Sequence, residues 1–110
     1  MAKNDYFVIA YRILHYLYEC FQTGERPDTA MFGPDAIGIG NGYWINVMES
    51  LSNEGYITGI AFITPLGGIR GAKLMDLKIT QKGIEFLQEN SSINKAKEFL
   101  KSFKETIPGL

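Results

Sequence analysis

A mainly α-helical chain carrying one small β-hairpin is what three observations predict. An amphipathic stretch closes on Leu51-Ser52-Asn53-Glu54-Gly55-Tyr56-Ile57, where a residue without Cβ takes positive φ cheaply, ends a helix and lets a strand begin at once. A glycine-studded gap of hairpin type follows. Leu77-Lys78-Ile79-Thr80-Gln81-Lys82-Gly83 then hands a strand to a helix, with Thr80 in the capping position. Helix, hairpin and helix in that order outline an α+β winged helix-turn-helix, here with an extra C-terminal helix. The whole chain, residues 1–110, reads as one domain.

Asp5 caps a first helix over about 5–22, stopped by Thr23-Gly24 and barred from continuing by Pro27. Its apolar face is wide. Phe7, Ala10, Leu14, Leu17 and Phe21 form one stripe, and Tyr6, Ile9, Ile13, Tyr16 and Cys20 form a second beside it. Such a width suggests a second packing partner, either the C-terminal helix or another subunit. From Pro27 to Gly42 the pattern is irregular, with Met31, Phe32, Ala36 and Ile37 as anchors and one short helical turn over 34–37.

Asn41 is the expected cap of a helix over 42–54, with Trp44, Val47, Met48 and Leu51 inward and Tyr43, Asn46, Glu49, Ser50 and Asn53 outward. Residues 56–64 are rich in β-branched and aromatic side chains, and 73–79 alternate in polarity. These are the two wing strands, joined through Pro65-Leu66-Gly67-Gly68-Ile69-Arg70-Gly71. A helix over 80–90 turns Ile84 and Leu87 inward with Phe86 close by. A last helix over 92–106 keeps Ile93, Ala96, Leu100, Phe103 and Ile107 at helical spacing until Pro108-Gly109.

The apolar fraction of 45% and charged fraction of 21% are those of an ordinary globular chain. No apolar run approaches the ~20 residues that span a bilayer. The polar, acid-bearing start Met1-Ala2-Lys3-Asn4-Asp5 reads as cytoplasmic. Charge is uneven along the chain: residues 1–55 hold three bases against seven acids, and residues 56–110 hold eight bases against five acids. Attraction to phosphate must therefore come from the second half.

The chain resembles the YjcQ family of small bacterial and phage proteins. The matching residues are Ile37-Gly38-Ile39 before the helix 42–54, Trp44 and Leu51 within it, and Gly55-Tyr56-Ile57-Thr58-Gly59 after it. Beyond the wing they are Leu77 and Thr80-Gln81-Lys82-Gly83-Ile84-Glu85-Phe86-Leu87-Gln88-Glu89-Asn90. The resemblance implies a winged-helix fold, often found in phage-derived genes, and lends no catalytic or binding residues. The loop before the short helix and the glycine-rich wing are elaborations of this chain.

In a winged helix the helix 42–54 enters the major groove while the wing touches backbone or minor groove. Asn41, Tyr43, Asn46, Ser50 and Asn53 are therefore the candidate base-edge contacts, and Arg70 with Lys73 the candidate phosphate contacts. The helix itself carries no Lys or Arg, and its Glu49 and Glu54 repel phosphate, so a solvated face or a protein-contact face explains the same residues. Arg70 reads equally as a charge that keeps a hairpin tip soluble.

Catalysis and cofactors find no support. Gly38-Ile39-Gly40-Asn41-Gly42 lacks the preceding strand and the spacing of a nucleotide loop. His15 has no ligand partner at metal spacing, and Cys20, five residues on, turns away from it and reads as a small core residue. The expectations are a non-enzyme with no metal, cofactor or small-molecule ligand. The primary expectation is a phage-derived DNA-binding transcriptional regulator acting on double-stranded DNA. The alternative is a protein-contact or dimerisation module, a homodimer pairing through the first and last helices.

Overall fold

The structure is a computed structural model that describes residues 5–91. Its order is α1 (Tyr6–Thr23), α2 (Thr29–Phe32), α3 (Pro34–Ile37), α4 (Asn41–Asn53), β1 (Ile57–Ile63), β2 (Gly71–Ile79) and α5 (residues 81–91). This is a mainly helical architecture with a two-strand antiparallel wing, as the sequence predicts. The predicted helix 92–106 lies outside the described residues. No helix among those described is long and apolar enough to cross a membrane.

Local signals set α1. The Asp5 carboxylate accepts the Phe7 N–H at 2.8 Å, and Gly24, at φ 81°, donates its N–H to the Cys20 carbonyl. Ile9, Ala10, Ile13, Leu14 and Leu17 are buried, so most of both apolar stripes is consumed inside the described chain, while Phe7 and Phe21 at the stripe's ends stay exposed.

The segment after Gly24 departs from expectation. It holds an additional short helix, α2, which Asp28 starts by accepting the Ala30 N–H at 2.9 Å. The Asp28 N–H in turn donates to the Tyr16 hydroxyl of α1. Phe32 and Ile37 are the anchors, whereas Met31 and Ala36, expected to join them, are exposed. Turns of four residues each cannot bury successive apolar positions, and the face containing Phe32 won. Phe32 stacks on Tyr16 with ring centroids 5.7 Å apart, and its carbonyl accepts the Trp44 indole N–H at 2.9 Å.

Gly40, not Asn41, caps α4, and no side chain bonds that terminus. The Gly40 carbonyl accepts the Trp44 N–H at 3.0 Å, which starts the helix one residue early and places Asn41 inside it. Trp44, Ile45, Val47, Met48 and Leu51 are buried against α1 and the hairpin base.

The two motifs that predict the fold meet in space. Gly55, at φ 83°, ends α4, and the Tyr56 N–H returns to the Leu51 carbonyl at 2.9 Å. The Thr80 hydroxyl donates to the Gly55 carbonyl at 2.6 Å and accepts the Gly83 N–H at 3.1 Å, while the Thr80 N–H donates to the Tyr56 carbonyl at 3.0 Å. One threonine thus caps α5 and fastens it to the end of α4.

In the wing, Ile57 pairs with Ile79 and Ile63 with Gly71, with a register shift between Thr58 and Ile60. Gly59 makes the shift possible, because a Cβ there would lie 2.0 Å from the Asp76 carbonyl oxygen.

Candidate functional site

Helix α4 and the base of the wing tip form one surface, and the Arg70 side chain bridges them. Arg70 is the last residue before β2. Its Nη1 donates to Asn46 Oδ1 at 3.0 Å and its Nη2 to Glu49 Oε1 at 2.6 Å, so the guanidinium lies across the outward face of α4. Both charged partners are partly exposed, at 37% for Arg70 and 39% for Glu49. A fork of this kind fixes the guanidinium plane as no lysine can. It also cancels the face's basic residue against one of its acids.

The other residues expected on this face take different positions. Asn41, Tyr43, Asn46 and Asn53 are exposed on α4, and Lys73 is exposed on β2. Ser50 turns toward α1 instead, its hydroxyl 2.8 Å from the Tyr6 hydroxyl, where it packs helix on helix. Asn46 spends its carbonyl oxygen on Arg70 and keeps its amide N–H donors for other acceptors.

Elsewhere in the second half, Lys78 pairs with Asp76 at 3.3 Å, and the Lys82 ammonium sits 5.7 Å from the centre of the Tyr56 ring. Of the four bases among the described residues of the second half, three are thus engaged with a side-chain partner: Arg70, Lys78 and Lys82; Lys95, Lys97, Lys101 and Lys104 lie outside the described residues.

The wing tip carries what charge counting overlooks. Leu66 is fully exposed and Ile69 84% exposed, with Ile63 also exposed at the end of β1. Apolar residues at a glycine-rich hairpin tip, Leu66-Gly67-Gly68-Ile69, are the sequence signal that identifies this prong, since no core lies within their reach.

Burial lifts the Tyr16 hydroxyl above its ordinary pKa, helped by the neighbouring Cys20 and opposed by the Asp28 N–H, and burial likewise lifts Tyr56. His15 lies 3.7 Å from Glu19 on the exposed side of α1 while Cys20 is buried, so the two do not form a nucleophile and base. A shallow cleft of about 280 Å³ beside Cys20, between the end of α1 and β2, is lined by Leu17, Phe21, Arg26, Leu77 and Lys78. No group of three or more His, Cys, Asp or Glu side chains able to hold a metal occurs among the described residues.

Neither the curated proteins nor the solved structures hold a match to this sequence. A family match does exist: the sequence aligns with the YjcQ protein family over residues 11–106, and the chain belongs to that family.

Proposed function

We propose that this winged-helix scaffold serves protein contact, with α4 and the wing tip as one docking face. The observation that carries the reading is the Arg70–Glu49 ion pair, which engages the arginine of the two candidate phosphate contacts and leaves Lys73 alone for that role. What remains is Tyr43, exposed amides, a neutralised arginine and the aliphatic residues Leu66 and Ile69. That mixture matches protein interfaces, enriched in aromatic residues and arginine and poor in lysine. Nucleic-acid interfaces are strongly basic. A second copy of the chain is one eligible partner, since Phe7 and Phe21 on α1 are also exposed.

A second reading, a phage-derived DNA-binding transcriptional regulator, draws support from Asn41, Asn46 and Asn53, exposed on the helix that winged-helix proteins place in the major groove. It requires Arg70 to exchange Glu49 for a phosphate.

A photo-crosslinking residue at position 66, expressed in the natural host, tests the first reading, with Leu66→Asp and a crosslinker at exposed Thr58 as controls. The expected result is one discrete protein adduct from position 66 that Leu66→Asp prevents when the crosslinker is moved to position 69. Anisotropy titration with random duplex DNA at low salt tests the second. Saturable binding that Arg70→Ala abolishes, with no adduct at position 66, would reverse the proposal.

A further inference from the structure

We infer that Arg70 is the positioning residue of the wing: its guanidinium, forked between Asn46 and Glu49, holds the hairpin tip at a fixed angle to α4 and presents Leu66 and Ile69 as a rigid prong. Three observations place this burden on one side chain. The β ladder ends at the Ile63–Gly71 pair, so residues 64–70 lie beyond it. Inside that loop the backbone makes one turn bond, Gly68 N–H to the Pro65 carbonyl at 2.9 Å. The loop is reached through a two-strand hairpin whose register is interrupted at Gly59, and a two-strand hairpin holds its own shape only marginally.

Against that background, two bonds from Arg70 cross 21 and 24 residues of sequence to a helix whose other face is buried core. Anchoring at both Asn46 and Glu49 prevents the swivel that a single ion pair permits. A prong held in place before contact loses less freedom on binding, which is where such a tie acts. The inference rests on α4 and the wing tip acting as one face, but its test reads the wing directly.

The test is amide ¹⁵N relaxation on the full chain, comparing residues 66–70 with the buried stretch 44–51. Wild type is expected to show order parameters of about 0.85 in both, and Arg70→Ala to fall below about 0.6 at 66–70 alone. Arg70→Lys should fall nearly as far, because an ammonium does not fork, and the exchange Glu49→Arg with Arg70→Glu should recover much of the order. If Arg70→Ala disturbs 44–51 as well, the pair Asn46→Ala and Glu49→Ala removes both acceptors and carries the same expectation.

A loop already below about 0.6 in wild type, unchanged in Arg70→Ala, or fully ordered in Arg70→Lys overturns the inference. A wing that stays rigid without Arg70 while position 66 still crosslinks removes the inference and leaves the docking face standing. A wing that loosens with no crosslink at position 66 does the reverse.

Discussion

Alanine in place of glycine should change stability in opposite directions at Gly83 and Gly42, although both glycines lie in helices. Propensity alone favours alanine by about 1 kcal/mol at either position. At Gly42, in the first turn of α4, an added Cβ meets nothing within 4 Å, so Gly42→Ala should gain about 0.5–1 kcal/mol. At Gly83 a Cβ would stand 2.4 Å from the Tyr56 carbonyl oxygen and 2.6 Å from Ile79 Cγ1. Neither neighbour yields easily. The carbonyl already accepts the Thr80 N–H at 3.0 Å, and Ile79 is 2% exposed in the core. Overpacking costs about 1–3 kcal/mol, and disturbing the Thr80 cap adds up to about 1 kcal/mol. Set against the propensity gain, Gly83→Ala should lose about 2 kcal/mol, roughly 8 °C in Tm for a domain of this size. Urea and thermal unfolding followed by Trp44, the chain's one tryptophan, measure both variants. Equal or greater stability in Gly83→Ala would refute the claim that the two motifs interlock through that glycine.

Gly59→Ala should be the costlier glycine change, about 3 kcal/mol by urea unfolding, because φ is 84° and the new Cβ meets the Asp76 carbonyl at 2.0 Å; a loss under about 1 kcal/mol contradicts the bulge geometry. Thr80→Ala should cost about 1–2 kcal/mol and Thr80→Ser much less, since serine keeps the hydroxyl that bonds Gly55 and Gly83; equal losses would mean the hydroxyl is not what matters. Trp44→Phe leaves the Phe32 carbonyl unpaired and should cost about 2–3 kcal/mol by circular dichroism, and a neutral result would place that carbonyl in water. Stability should also decline in alkali. Tyr16 and Tyr56 both titrate above their ordinary 10.0 when folded, so their contribution is intact below about pH 10 and is lost as pH rises through the folded values. Tyr56→Phe should flatten that decline, and an unchanged slope would exclude Tyr56 as a source.

What the sequence makes legible here is what neighbouring residues decide. Asp5 and Gly24 bound α1, Gly55 stops α4 and Thr80 starts α5 through bonds that reach two to five residues along the chain or across one junction. The short helix α2 escapes such reading because half its support comes from afar: Tyr16 of α1 accepts the Asp28 N–H. Ser50 escapes for the same reason. Helical spacing puts it on the polar face, yet Tyr6, 44 residues away, draws its hydroxyl inward. Asn41 shows a smaller limit, since glycine and asparagine compete for one cap and the backbone bond from Trp44 to Gly40 decides between them.

Charge is the property that counting residues misjudges most, and it decides the functional reading. Among the described residues of the second half, Arg70 is held by Glu49, Lys78 by Asp76 and Lys82 lies against Tyr56, which leaves Lys73 as the cation with no partner shown. Each phosphate neutralised by a protein steepens the dependence of log affinity on log salt by about 0.9 for duplex DNA. If the α4 face gripped DNA with Arg70 released from Glu49, wild type and Arg70→Ala would differ in that slope by about 0.9. With Glu49 keeping its partner, both proteins show the same slope, and any residual binding comes from lysines elsewhere in the chain. Glu49→Gln sharpens the comparison: it weakens the internal competitor while keeping a hydrogen-bond acceptor for the guanidinium. A slope that steepens in Glu49→Gln but not in wild type would mean that the arginine is capable of gripping phosphate and that Glu49 is what withholds it. That outcome would leave protein contact as the use of the native face.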